Sequence, residues 1–490
     1  MQDTYHTQDM RSTNVRSDKS LRSATEAFWQ IEKDLDLFEE RIDGVRFWER
    51  IRFPVHHRLM RGLWLHGQAD TEPPRDLFHR SRARLRALAA GLSRNPYFAS
   101  PRDILFFGSA RRKLRHDGKW WDIYCDPLIE HLDTPYLYIE RPYLHAHMGP
   151  ARTKDVRYLD FPYLLASTMK RAGLCSILLS RQERLLCRAI GNRLEQDLDV
   201  RIDIAKIVVH DLEVRKSRLP IYRMLLRRAR PKLTVIVTSY GKETFIESCK
   251  ELDIPVAELQ HGIIHRFHLG YNYAGPHAKK VCFPDYLLLF GDFWKKDIEY
   301  PLAPERIHVV GYPYLEDEAR RYRTVDRKEQ VVFISGGHIG KPISEFAVAF
   351  QEAVGSGLDV VYKLHPGEYS RWRTEYPWLA SSSIRVVEDD QTTLYQLLAE
   401  SKVQVGVNST AIYEGLAFGL QTVLLDLPGL EVMERLVEEG VASVASSSEE
   451  LVHAATSGQL GTTQADLYFQ RNALARGLSA MQEILDRRGE

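Results

Sequence analysis

The stretch QVVFISGGHIG (330–340) decides how the chain is read. An apolar run of strand length ends in Ser335-Gly336-Gly337-His338-Ile339-Gly340, and a helical pattern from Ile343 to Gly355 follows. Strand, glycine turn, helix is the opening of a βα unit. The same order recurs in LDVVYKLHPGE (358–368), SIRVVEDD (383–390), VQVGVNST (403–410), LQTVLLDLPG (420–429) and VASVASS (441–447). Helical patterns at Thr393–Ser401 and Ala411–Gly419 fall between them. Short apolar strands alternating with helices predict a parallel sheet with crossovers.

Upstream, the same alternation runs through DILFFGSA (103–110), PYLYIE (135–140), IAKIVVHDL (204–212), KLTVIVTSYG (232–241), IPVAELQHGII (254–264), PDYLLLFGDFW (284–294) and RIHVVGYPYLE (306–316). Each of these apolar runs is read as a strand. The charged stretch EDEARRYRTVDRKEQ (316–330) separates the two series. The chain is therefore α/β, with two Rossmann-like units at 101–316 and 317–460 facing across a cleft. Residues 1–20 are polar and predicted to be disordered. Residues 21–100 read as a helical extension, because Phe28, Ile31, Leu35, Phe38 and Ile42 share one helical face. Pro54 is expected to stop that helix, and RSRARLRALAAGLSR (80–94) gives a second, basic one. Leu467, Leu474, Leu478, Met481 and Leu485 predict a C-terminal helix within 461–490.

Composition bounds the function. The chain has 490 residues, 44% of them hydrophobic and 27% charged, which fits a soluble globular protein and excludes collagen-like or wholly disordered classes. Lys+Arg number 67 against 66 Asp+Glu, a balance that argues against a nucleic-acid partner. The longest stretch free of charge, Leu451–Ala465, is short and rich in Ser, Thr and Gly, so no membrane span is predicted. The N-terminal residues show no apolar core of a signal peptide. Cys125, Cys175, Cys187, Cys249 and Cys282 are odd in number and scattered, as reduced thiols of a cytoplasmic protein would be.

Four polar clusters stand at predicted strand ends. Gly336 and Gly337, with His338, form a turn that lets backbone approach a ligand; glycine turns after strands are also common without one. Lys363 and His365 alternate at the end of the next strand, and Pro366 holds His365 extended. This pair suits phosphate oxygens or a ribose hydroxyl, or else forms a capped loop. Ser409 and Thr410 stand at a helix start where free N–H groups attract anions, with Glu414 one turn further on the same face. Ordinary N-capping accounts for the two hydroxyls equally well. In the first unit, Gln260, His261 and Gly262 end a strand, and His265, Arg266 and His268 follow. His261 is a candidate general base, and a satisfied core histidine is the plain alternative. No carboxylate or cysteine accompanies these histidines at ligand spacing, so no metal is expected. No GxxxxGK[ST], strand-linked GxGxxG or GxSxG motif occurs.

HPG at 365–367 followed by NST at 408–410 resembles the paired HP and S-S/T motifs of bacterial surface-polysaccharide glycosyltransferases of the GT-B fold. That group includes capsule and lipopolysaccharide transferases, bacterial sialyltransferases and CDP-glycerol glycerophosphotransferases. ELQHGII (258–264) is similar to the QHG segment of its capsule-type members. PDYLLLFGDFWKK and VVGYPYLED look like the approach to the interdomain linker, a pattern shared with UDP-sugar epimerases. The resemblance spans roughly residues 230–430. It implies donor binding by His365, Ser409 and Thr410, and a CMP-, CDP- or UDP-linked sugar as co-substrate with no other cofactor. It also implies a glycan or lipid-linked glycan acceptor and a cytoplasmic site at the inner face of the membrane.

Retaining members of the group often carry Glu-x7-Glu, but Thr422 stands where the second Glu after Glu414 would be, which leans towards an inverting transfer. No DxD ends a strand, so the transfer is read as metal-independent, with Lys363 and the helix start at Ser409 stabilising phosphate charge. The basic stretch RKSRLPIYRMLLRRARPK (215–232) suggests contact with an anionic membrane face; a helix packing on the sheet explains it as well. The other expectations are a nucleotide-sugar 2-epimerase-like isomerase, and a non-catalytic polysaccharide-assembly subunit.

Overall fold

The computed structural model describes residues 20–64, 89, 91, 93–109, 112–143, 146–273, 280–337, 339–355, 357–389, 392–457 and 465–487. Residues 1–19 of the expected tail at 1–20 and most of the helix expected at 80–94 lie outside these residues, as does His338.

Two all-parallel sheets organise the chain. The first contains β1 (Ile104–Phe107), β4 (Tyr136–Glu140), β5 (Val156–Tyr158), β6 (Leu233–Val237), β7 (Val256–Leu259), β8 (Tyr286–Leu289) and β9 (Ile307–Val309), in the order β5-β4-β1-β6-β7-β8-β9. A small hairpin, β2 (Lys113–Leu114) with β3 (Trp120–Trp121), follows β1. The second sheet contains β10 (Gln330–Ile334), β11 (Asp359–Lys363), β12 (Arg385–Val387), β13 (Val403–Gly406), β14 (Gln421–Leu425) and β15 (Ala442–Ala445), in the order β12-β11-β10-β13-β14-β15. Within each sheet the first strand pairs on both sides, with the second-formed and the fourth-formed strand. That is the doubly wound order, and it reverses between β1 and β6 and again between β10 and β13. Central strands are buried along their length, as parallel strands covered on both faces must be. This is the expected GT-B-like architecture.

Three local readings are corrected. IAKIVVHDL is not a strand but the start of the helix Ile204–Ala229. Asp203 caps it by accepting from the Lys206 N–H, and Ile204, Ile207, Val208, Asp211 and Leu212 bury one face at helical spacing. The first helix runs only Leu21–Asp34, because Asp36 takes a left-handed φ of 44°; Leu35, Phe38 and Ile42 therefore pack from a turn. Pro54 lies inside the helix Trp48–Trp64 rather than ending a helix. The basic stretch at 215–232 belongs mainly to the long helix, whose Ile221, Tyr222, Leu225 and Leu226 are buried while Met224 is exposed. Arg223 on it pairs with Glu251. Among the described residues no helix is long and apolar enough to cross a membrane.

The two units share an apolar wall. Phe290, Phe293, Trp294, Tyr312 and Tyr314 of the first pack with Tyr395, Ile412 and Tyr413 of the second. The chain then returns to the first unit, where Ala480, Met481 and Ile484 of the helix Ala473–Asp486 pack with residues of β1 and β6. Gly311 takes this crossing at a φ of +86°, and a methyl there would stand 2.1 Å from the Gln470 carbonyl oxygen. Gly311→Ala is therefore expected to loosen the C-terminal helix and expose it to limited proteolysis. Gly355→Ala, with a φ of +57° but nothing within 4 Å, is expected to keep the wild-type cleavage pattern at a conformational cost of about 1–3 kcal/mol. Equal protease resistance in both variants would contradict this.

Candidate functional site

Ligands of doubly wound sheets sit beyond the strand carboxyl ends, where the order reverses. In the second sheet that point is flanked by Ser335-Gly336-Gly337 after β10 and Asn408-Ser409-Thr410 after β13. Gly337 has a φ of +67°, and a methyl on it would stand 3.2 Å from His365 Cγ. The turn after β10 thus lies against the His365 ring.

His365 opens a short 3₁₀ turn, Pro366–Glu368. The Gly367 N–H donates to His365 Nδ1 at 3.1 Å, so the proton of the neutral ring is on Nε2, the donor side. The His365 N–H donates to Glu368 Oε2 at 2.7 Å. Glu368 is fully buried and also accepts from Ser335 Oγ at 2.9 Å and Tyr376 Oη at 2.7 Å through Oε1. One carboxylate thus ties together the turns after β10 and β11. Arg371 adds a second tie, donating to the Gly337 and Gly367 carbonyls.

Ser409 caps the helix Thr410–Ala417 by accepting from the Ala411 N–H, the ordinary capping expected as its alternative role. Asn408 is wedged between two loops: a methyl on Gly336 would stand 3.6 Å from its Oδ1, and one on Gly429 2.2 Å from its Nδ2. Glu414 is buried one turn along. Desolvation pushes its carboxyl above the usual range, opposed by Lys113 of β2 and by the nearby Tyr395 hydroxyl. The Lys363 ammonium donates to Tyr369 Oη and the Asp389 carbonyl, towards β12.

The first unit meets this surface through the loop after β7. A methyl on Gly262 would stand 3.4 Å from Thr410 Oγ1, so the QHG turn faces the helix start of the second unit directly. Gln260 is buried inside the loop: its amide donates to the Gly262 carbonyl and accepts from the Phe290 N–H. His261 Nε2 lies 2.8 Å from Tyr240 Oη, and Tyr124 Oη donates to the His261 carbonyl. Its Nδ1 is buried without a hydrogen-bond partner among the described residues. Desolvation, helped by His268 and Lys242, pushes His261 down to about 3, so the ring is neutral. His265 accepts from the Phe267 N–H and is likewise kept neutral by burial. Arg266 pairs with Glu434 and Glu438, linking the two units. Among the described residues, no group of three or more His, Cys, Asp or Glu is placed to hold a metal ion.

Sequence reasoning missed Tyr240, Glu368 and a bridge at the ends of β4 and β5. There His147 donates to Glu140 Oε1 and Asp160 Oδ2, both at 2.7 Å. Both ring nitrogens face carboxylates, so the ring is an imidazolium. Burial lowers its pKa, but the bonds to Asp160 and Glu140 outweigh burial and raise it overall. A folded-state pKa above the unfolded value of about 6.5 gives stability that is complete below that pH and is lost as pH rises through the folded value. Stability of the wild type relative to His147→Gln is therefore expected to shrink from pH 6 to pH 9. A difference that stays constant, or grows, across that range would contradict the imidazolium bridge.

No family model matches the chain, and no curated protein matches it in sequence. Solved structures align with it at low identity. The UDP-GlcNAc 2-epimerase of Methanocaldococcus jannaschii, in complex with UDP-GlcNAc and UDP, is 11% identical over 78% of this chain and 98% of that one, with a TM-score of 0.42. The Neisseria meningitidis UDP-GlcNAc 2-epimerase bound to UDP-GlcNAc is 10% identical over 78% and 99%, with a TM-score of 0.45. The glycosyltransferase VinC in complex with dTDP is 12% identical over 79% and 95%, with a TM-score of 0.39. The fold assignment stands on the strand order itself, and the chemistry on the residues of this chain.

Proposed function

We propose that the cleft binds a nucleotide-activated sugar and that the protein transfers the sugar to a glycan acceptor of the bacterial surface-polysaccharide type, with inversion. One observation carries the reading: the QHG turn of the first unit abuts the Ser409–Thr410 helix start at the strand-order reversal of the second. Donor phosphates would lie between that helix start and the Nε2–H of His365, where aligned N–H groups and a fixed donor stabilise the charge of the leaving nucleotide. Glu414 would meet ribose hydroxyls. Lys363, whose ammonium is held by Tyr369 Oη and the Asp389 carbonyl, would add positive charge at the end of the neighbouring strand. His261 would take the acceptor proton. It is neutral, as a base must be, and an anionic diphosphate nearby would raise its basicity.

An isomerase acting on the same donor uses the same cleft. Incubation with CMP-, CDP- and UDP-linked sugars, with and without an oligosaccharide acceptor, separates the readings by product. Nucleotide release that requires acceptor is the expected result. A C2 epimer formed from donor alone would assign an isomerase, and no turnover with nucleotide bound would assign an assembly subunit.

A further inference from the structure

The helix Trp48–Trp64 of the N-terminal extension carries WERIRFPVHH (48–57), and successive residues of it grip the first unit. Glu49 accepts from the Val281 and Cys282 N–H groups. Arg50 is buried and binds Asp211, Glu247 and Thr244. Arg52 is buried against Glu32 and donates to the Leu269 and Asn272 carbonyls, which belong to the loop that begins at His261. Phe53 is the next residue. Its ring stacks on Tyr240 at 4.2 Å between centroids and on His268 at 5.4 Å with an 11° interplanar angle.

We infer that Phe53 is a positioning residue for His261, acting through Tyr240. Tyr240 holds the His261 ring by Nε2, and its own ring plane is set by the Phe53 stack. The far side leaves no slack: a methyl on Gly270 would stand 2.9 Å from His268 Cε1 and 3.1 Å from Tyr240 Cδ1. Since Nδ1 of His261 has no partner among the described residues, Tyr240 is what orients the ring. The groups packed around this set are His56 and His57 with Arg52 from the extension, His265 and His268 from the loop, Lys242 from the turn after β6, and Glu258 from β7. The extension is thus part of the cleft wall. Its importance for catalysis rests on the functional reading above; its geometry does not.

The test is ¹³C/¹⁵N NMR of the His261 imidazole in the full chain, wild type against Phe53→Ala, Phe53→Leu and Phe53→Trp, with calorimetric titration of UDP and CDP on each. In Phe53→Ala and Phe53→Leu the His261 ring is expected to change its tautomer signature and to titrate nearer to about 6.5, whereas Phe53→Trp restores the wild-type signature. Leu194→Ala, which opens the core beneath the extension, is expected to lower stability without altering the His261 spectrum. Should Phe53→Ala fail to fold, Phe53→Leu decides. An unchanged His261 tautomer and titration in folded Phe53→Leu would overturn the inference. Absence of nucleotide binding by the wild type would instead overturn the functional reading and leave the His261 result to stand or fall by itself.

Discussion

Glu368→Ala is expected to cost the second unit about 3 kcal/mol or more, because three buried donors lose their acceptor together. The side chain is completely buried and satisfies three donors from three segments: Ser335 Oγ, Tyr376 Oη and the His365 N–H. Each donor left unpaired in the interior costs about 1–3 kcal/mol. The carboxylate is closely packed: a methyl on Gly340 would stand 2.0 Å from Glu368 Oε1. Glu368→Gln separates stability from site geometry. Its amide oxygen can still accept from both hydroxyls, but its NH₂ cannot accept from the His365 N–H. The glutamine variant is therefore expected to recover most of the stability while loosening the His365 turn. Chemical denaturation followed on the tryptophans measures the first effect. A loss below about 1 kcal/mol in the alanine variant would show that Glu368 is not the tie between the two turns.

His365→Ala is expected to weaken binding of the cognate nucleoside diphosphate at least tenfold, or about 1.4 kcal/mol. A charge-assisted hydrogen bond to phosphate is worth about 1.5–3 kcal/mol, and the ring is oriented by the bond that Nδ1 accepts from Gly367. His261→Ala is expected to leave that affinity within about twofold while abolishing transfer, since the proposed role of His261 lies in the chemical step. Equal affinity in wild type and His365→Ala would remove this histidine from the donor site. A large affinity loss in His261→Ala with turnover intact would exchange the two roles.

The strands of both sheets are legible in the sequence wherever an apolar run ends at glycine or a small polar residue, as in QVVFISGG and KLTVIVTSYG. The run at 204–212 misleads because a helix buried on one face can open with apolar residues in close succession. Its capping aspartate, Asp203, is the signal that distinguishes it. The extended spacing from Phe28 to Ile42 misleads for a different reason: a left-handed turn at Asp36 is invisible to periodicity. Of the site, His365 and the Ser409–Thr410 helix start are legible because local chemistry marks them. Glu368 is half-legible, since His-Pro-Gly-Glu reads as a capping box, but its bonds to Ser335 and Tyr376 exist only after folding. Lys363 is legible by alternation along its strand, but the hydroxyl of Tyr369 and the carbonyl of Asp389 that hold its ammonium come from segments only folding brings near. Phe53 lies far from Tyr240 in sequence, and nothing local predicts their stack.

The central claim is that the reversal point of the second sheet is a nucleotide site closed by the QHG turn of the first. Calorimetric titration of the wild-type chain with CMP, CDP, UDP and GDP tests it most directly. One nucleotide is expected to bind, with an affinity reduced by adding bulk between the two walls in Gly262→Val, whose branches reach beyond a Cβ position that already lies 3.4 Å from Thr410 Oγ1. No binding of any of the four at millimolar concentration, or binding indifferent to Gly262→Val, would contradict it.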